Sequence, residues 1–139
     1  MCLRAMNNEE LPYAAIEYKV ASKRGPGQYA PYLWSNPANV PPTGVGVGMG
    51  WASSGTVDES LYEGRRYEAG VHCFASLAGA LKALEVAREI YDGRNPVILR
   101  VEARGPIASG VELYVHHFHN YWVDVHVWRE VRILEEIPA

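Results

Sequence analysis

The chain has 139 residues, of which 48% are hydrophobic and 21% are charged, and its formal net charge is −3. This length is typical of one domain, residues 1–139, whose core needs neither a metal nor disulfides. The 13 basic and 16 acidic residues nearly balance, which argues against an extended nucleic-acid-binding surface.

The first twelve residues are predicted to form a mobile tail. They contain no apolar run of the kind that a signal peptide needs, and no later stretch approaches the ~20 apolar residues of a membrane-spanning helix. Two cysteines are too few for a disulfide framework. The sequence therefore predicts a cytoplasmic protein without membrane contact, in which Cys73 is a small buried residue.

Residues 14–21 alternate apolar and polar side chains, which predicts a first strand with Glu17 and Lys19 on its polar face. Gly and Pro are frequent over 25–58, which predicts a long loop or insertion, or a set of short irregular pieces. Tyr and Trp dominate many protein interfaces because they bury a large area at little cost in rotamer entropy. We therefore predict that a protein partner binds the aromatic residues of this loop: Tyr29, Tyr32, Trp34 and Trp51.

A short strand over 71–75 precedes the most regular element, a helix over about 77–92. Its leucines recur three or four residues apart, as one face of an amphipathic helix requires. Ser76 is predicted to cap the amino-terminal end, and Gly93 is predicted to stop the helix.

Three further strands are predicted over 97–103, 111–119 and 122–134, where Val, Ile, Tyr and Trp are frequent. We expect a turn or bend at 105–106 and a hairpin connection at 120–121. Five or six strands with one principal helix predict an α+β fold with a mainly antiparallel sheet.

Several short motifs follow one another along the chain: Tyr18-Lys19-Val20, then 62–67 (Tyr-Glu-Gly-Arg-Arg-Tyr), 70–74 (Gly-Val-His-Cys-Phe), 101–105 (Val-Glu-Ala-Arg-Gly) and 128–134 (Trp-Arg-Glu-Val-Arg-Ile-Leu). In this layout the chain resembles a group of small uncharacterised bacteriophage-type proteins. The resemblance implies a shared fold and a phage-like genomic setting, and it implies no activity.

Four of the five histidines lie close together near the end of the chain, at His116, His117, His119 and His126. Alternation along two paired strands predicts that His117 and His119 share one face and that Asp124 and His126 share another. These histidines can be ordinary residues of an amphipathic strand. Because imidazoles with one carboxylate suit Zn²⁺ or a similar ion, a metal-binding domain that uses His117, His119, Asp124 and His126 is an alternative function.

The order of a basic residue, a strand-terminal Ser and a late Glu is similar to that of small ADP-ribosyltransferase-like domains. The corresponding positions are Arg24 or His72, then Ser76, then Glu130 or Glu135. The resemblance implies NAD as cofactor and a Glu that assists the acceptor. Ser76 is equally well explained as a helix cap, so this enzyme is an alternative function.

The glycine-rich run 44–50 lacks the Lys-Ser/Thr pair of a phosphate-binding loop. Since no complete catalytic set is present, the leading hypothesis is a cofactor-free, protein-binding accessory or host-modulating protein of phage or mobile-element type. A second aromatic surface flanks the histidines and consists of Tyr114, Tyr121, Trp122 and Trp128.

Overall fold

The second half of the chain forms one long antiparallel hairpin. In the computed structural model, which describes residues 3–7, 9–30, 45–47, 51–53, 58–60, 66–68, 70–90 and 95–138, strand β9 (Pro96–His116) runs directly into strand β10 (His119–Ile137). Their pairing extends from His119 opposite His116 to Ile137 opposite Ile98.

In these described ranges, the remaining elements are one helix and eight shorter strands. The helix α1 comprises Leu77–Ile90. The strands are β1 (Ala5–Met6), β2 (Ala14–Gly25), β3 (Gln28–Ala30), β4 (Val45–Gly46), β5 (Ala52–Ser53), β6 (Asp58–Ser60), β7 (Arg66–Glu68) and β8 (Val71–Phe74).

Four of the strands close into a ring of backbone pairings. β2 pairs with β9, β9 with β10, and β10 with β8. The ring closes where Tyr18 of β2 lies opposite Phe74 of β8. The prediction of an α+β fold with a mainly antiparallel sheet and one helix is therefore confirmed.

The ring divides the hydrophobic core into two clusters. One cluster lies between the sheet and α1 and contains Phe74, Leu84, Ile98, Val123 and Val125. The other lies on the opposite face, between the four strands, and contains Cys73, Leu99, Val101, Trp128 and Val131. Because alternate residues of each strand point to opposite faces, both faces of the sheet are buried here.

The helix begins where the sequence predicts it. The Ser76 hydroxyl accepts a hydrogen bond from the Gly79 amide at 3.1 Å, which is the predicted cap. Gly79 is also required for packing, since a Cβ there would lie 2.6 Å from a methyl group of Val123. The described helix ends at Ile90, and the predicted stop at Gly93 lies outside the described residues.

Two local predictions, the mobile tail and the position of the hairpin turn, differ from the structure. In place of a mobile tail, Ala5–Met6 pair with β9 and the Leu3 side chain is fully buried. The described parts of the predicted loop 25–58 form short strands, and its other residues lie outside the described ranges. The hairpin turns at 117–118 and not at 120–121, because the two residues at 120–121 pair with β9.

The predicted bend at 105–106 lies within one continuous strand. The register shifts between Val127 and Trp128, which face Ala108 and Pro106, so Ile107 is an additional residue on β9. Such a bulge bends a strand and increases its twist without ending it. Among the described residues, no helix has the length and apolar character needed to cross a bilayer.

Candidate functional site

The end of the β9–β10 hairpin projects beyond the ring. We call residues 112–123 the arm, because β1 pairs with β9 only as far as Val111. One face of the arm lies towards α1, where the Lys82 ammonium sits 3.9 Å from the centre of the Tyr121 ring. The other face carries Val115 and Trp122, each with 59% of its surface exposed.

The turn at the tip of the arm is strained. His117 and Phe118 have φ values of 50° and 64°, as in the two-residue type I′ turn that normally favours Asn and Gly. Left-handed backbone costs an ordinary residue about 1–2 kcal/mol. The Phe118 ring is fully exposed, so it recovers none of this cost by burial. Backbone strain of this kind clusters at functional sites, so the tip of the arm is a candidate binding surface.

One edge of the arm presents free backbone groups. His116 and His119 close the turn as a hydrogen-bonded pair, and hydrogen-bonded pairs alternate with non-hydrogen-bonded pairs along an antiparallel ladder. The amides and carbonyls of Asn120 and Trp122 belong to non-hydrogen-bonded pairs and therefore point away from β9. On the same edge, the Ala75 amide donates to the Asp124 carbonyl at 3.1 Å. Within the described ranges, no strand pairs with this edge before Val125.

A groove runs between this edge and the beginning of α1. Its volume is about 390 Å³, and its walls are Ser76, Ala78, Gly79 and Lys82 on one side and residues 120–124 on the other. On the helix side, Ala78 is small, whereas Gly79 packs directly on Val123. The groove therefore lies beside unpaired strand backbone.

Three potential ligand groups meet where the tip of the arm touches the end of α1. Glu89 Oε1 lies 2.9 Å from His116 Nε2 and 3.2 Å from His117 Nε2. The two imidazole rings are adjacent, with centres 4.0 Å apart. All three ligand atoms lie within 4.8 Å of one another.

The structure does not bring the predicted metal ligands together. Only His117 belongs to the cluster just described, whereas His119 lies beside Tyr121. His126 is seven residues further along β10 than His119, roughly 23 Å at the rise of a strand. Successive side chains of a strand point to opposite faces, and Asp124 and His126 each lie an odd number of residues from His119. They therefore occupy the opposite face of β10 from His119.

A polar cluster lies inside the ring, at residues that the sequence assigns to a solvent-facing surface. Only 3% of the Glu17 surface is exposed to solvent, and Lys19 is fully buried. The Glu17 carboxylate contacts His126 Nδ1 at 2.5 Å and accepts a hydrogen bond from Trp128 Nε1 at 3.1 Å. On its other side, His126 Nε2 lies 3.3 Å from Glu9.

The buried charges influence their neighbours. The Lys19 ammonium donates to the His72 carbonyl at 2.5 Å. Burial raises the pKa of the Cys73 thiol to about 12, so Cys73 is the predicted buried residue and not a nucleophile. Burial and the nearby Lys19 charge lower the pKa of His72 to about 3, so its ring is neutral in the folded protein.

The titration of His72 and His126 should make the free energy of unfolding largest near pH 6.5. His72 binds its proton only when unfolded, so stability falls as pH drops below about 6.5, by about 2 kcal/mol at pH 5. Burial lowers the pKa of His126, but its hydrogen bond to Glu17 and the charges of Glu17 and Glu9 outweigh burial and raise it. The stabilisation from protonated His126 is therefore complete below about pH 6.5, and it is lost as the pH rises through the pKa of His126 in the folded protein.

Urea denaturation from about pH 5 to about pH 8.5 measures both limbs. In His126→Gln, we expect the decline above pH 6.5 to shrink while the decline on the acid side stays. An unchanged alkaline limb would show that the Glu17–His126 contact contributes no pH-dependent stability.

The residues predicted for NAD chemistry are dispersed. Ser76 caps α1 next to Asp124, whereas Glu130 lies six residues further along β10, roughly 20 Å away. Glu130 binds Arg104 at 2.8 Å, and Glu135 lies 3.4 Å from Arg100. Nothing is described of the Arg24 side chain, and His72 is fully buried.

The four aromatic residues of the predicted binding loop do not form one surface within the described ranges. Tyr29 is buried in the ring core, and its hydroxyl donates to Glu136 at 2.9 Å. Trp51 lies against Arg104, whose guanidinium carbon is 3.8 Å from the ring centre. Tyr32 and Trp34 lie outside the described residues. Of the second aromatic surface, Trp128 is buried and Trp122 is exposed.

Comparison with protein-family models, curated proteins and solved structures finds no match for this chain. The function must therefore be argued from the site itself. Sequence reasoning missed the free edge, the inward-facing Glu17 and Lys19, and the participation of Glu89. The edge and Glu89 depend on pairing between distant segments, and no local signal in the sequence reports them.

Proposed function

We propose that this protein binds an extended segment of a protein partner along the free edge of the arm, in the groove beside α1. The observation that carries the proposal is the row of outward backbone groups at Asn120 and Trp122 facing that groove. Unpaired strand edges bind other strands readily, and peptide-binding domains use such edges for affinity. The proposal keeps the protein-binding function predicted from the sequence and moves it from the loop 25–58 to the arm.

The chemistry of the arm supports an extended peptide over a small molecule. Five consecutive strand residues, 120–124, line the groove and span roughly 16 Å, which matches several residues of an added strand. The exposed side chains next to the edge, Trp122 and Phe118, are of the kind that anchors protein interfaces. An accessory or host-modulating role of phage type would be consistent with such a module and rests on the sequence resemblance alone.

Proline substitution tests the edge directly, and the chain offers a matched control. Asn120 and Val115 lie opposite each other near the tip, and their amides point to opposite edges of the arm. We expect Asn120→Pro to weaken binding at least about tenfold, because it removes one donor and obstructs strand addition. Val115→Pro should leave the affinity unchanged within about twofold, since its amide faces the other edge.

The probe is the tightest peptide selected against the wild-type protein from a displayed library of short random segments, measured by calorimetry. Equal weakening by both variants, or failure to select any peptide, would contradict the proposal. Thermal denaturation of the free proteins is the second measurement. A loss of stability in Asn120→Pro that Val115→Pro does not share would show that another part of this chain covers the edge, and it would also overturn the proposal.

A further inference from the structure

The cluster of Glu89, His116 and His117 lies at a position that the fold determines. His116 is the last residue of β9 and points towards α1, and His117 is the first residue of the strained turn. Its left-handed backbone places its ring against the His116 ring. Both imidazoles thereby face the last turn of α1, where Glu89 projects from the helix.

The Glu89 carboxylate lies in a region of negative charge. It stands in the last turn of α1, where the helix end carries partial negative charge, and Glu85 one turn earlier adds a second carboxylate. His116 and His117 already contact the Glu89 carboxylate, and a divalent ion held by these three groups would lie in the same negative field.

We propose that Glu89, His116 and His117 bind a divalent transition-metal ion of the Zn²⁺ class. Two imidazole nitrogens and one carboxylate oxygen are ligands that such ions prefer. In a tetrahedral Zn²⁺ site with bonds of about 2.0–2.1 Å, neighbouring ligand atoms lie roughly 3.3 Å apart. The two measured separations from Glu89, 2.9 and 3.2 Å, are close to that value.

The surroundings of His116 fit the same assignment. Its Nε2 lies towards Glu89 and His117, while its Nδ1 lies 3.8 Å from Glu85 Oε2, near it but beyond hydrogen-bond distance. A carboxylate beside the second ring nitrogen is common at metal-binding histidines. Glu85 is itself held by Lys82 at 2.9 Å. Three protein ligands leave a fourth position for water or for a group from outside the chain.

This set differs from the one predicted from the sequence, and it does not depend on peptide binding at the edge. The test is calorimetric titration of chelator-treated protein with zinc sulfate at neutral pH. We expect saturable binding of one ion per chain and a rise in melting temperature with Zn²⁺ concentration, since the ion binds the folded state.

Substitutions separate the assigned ligands from nearby histidines. Glu89→Gln and His117→Asn should each weaken Zn²⁺ binding at least about 100-fold. Both should fold, because the Glu89 side chain is half exposed and Asn tolerates left-handed backbone. Glu85→Gln should weaken binding less than about 10-fold, because Glu85 lies beyond hydrogen-bond distance of His116. His119→Ala is the matched control in the same hairpin, and its affinity should stay within about twofold of wild type.

Absence of saturable binding would overturn the proposal. Wild-type affinity in Glu89→Gln, or a loss in His119→Ala equal to that in His117→Asn, would overturn this ligand set. Circular dichroism of every variant without metal confirms that a changed affinity does not result from unfolding.

Discussion

Replacement of Glu17 by Gln is expected to lower the free energy of unfolding by about 3–5 kcal/mol. The Glu17 carboxylate contacts both His126 and Trp128 and is almost fully buried. Lys19 lies two residues away on the same inward face of β2 and is itself fully buried. Removing the negative charge breaks the buried contact with His126 and weakens the acceptor of the Trp128 N–H, which costs far more than the loss of an exposed ion pair.

Urea denaturation measures this loss, and two further variants interpret it. Glu102→Gln removes a partly exposed carboxylate that binds Arg132 at 3.1 Å, and it should cost at most about 1 kcal/mol. Adding His126→Gln to Glu17→Gln removes both partners of the contact, and the double variant should lose less stability than the sum of the two single losses. A loss below about 1 kcal/mol in Glu17→Gln would mean that the buried contact contributes no more than an exposed ion pair.

Trp128→Ala should also lower the free energy of unfolding by about 3–5 kcal/mol. The Trp128 side chain is fully buried between the four strands and donates a hydrogen bond to Glu17. Its removal leaves a large cavity and takes one donor from a buried carboxylate. The exposed Trp122, on the same strand, provides the comparison.

Trp122→Ala should change the free energy of unfolding by no more than about 0.5 kcal/mol, because most of the ring is in solvent. Chemical denaturation of both variants, followed by far-ultraviolet circular dichroism, gives the two values. Similar losses in the two variants would contradict the division into a core tryptophan and a surface tryptophan. Under the proposed function, Trp122→Ala should instead weaken peptide binding.

The sequence predicts elements better than it predicts which of their faces are enclosed. Alternation over 14–21 correctly indicates β2 with Glu17 and Lys19 on its polar face, but that face is the buried one, whereas Ile16 on the apolar face is 46% exposed. Periodicity reports that two faces differ in polarity. It does not report that pairing of β2 with β8 and β9 encloses the more polar face.

The hairpin turn was missed for a related reason. Two-residue turns with positive φ are recognised by Asn and Gly, and here His117 and Phe118 occupy those positions. Because the turn lies at 117–118, His117 is a turn residue and does not share a strand face with His119. The metal ligands predicted from the sequence therefore include only one residue of the observed cluster, His117. The carboxylate of the observed cluster belongs to Glu89, in a helix that precedes the hairpin along the chain.

The closed ring of β9, β10, β8 and β2 has a consequence for the order of folding. The β9–β10 hairpin joins residues that are close in sequence, so it can form by zipping from its turn. β2 must be recruited across roughly eighty residues of intervening chain, and such distant pairing is slow. Glu17 and Lys19 therefore keep their water until β2 docks, and we expect their dehydration to contribute to the last barrier on the folding pathway.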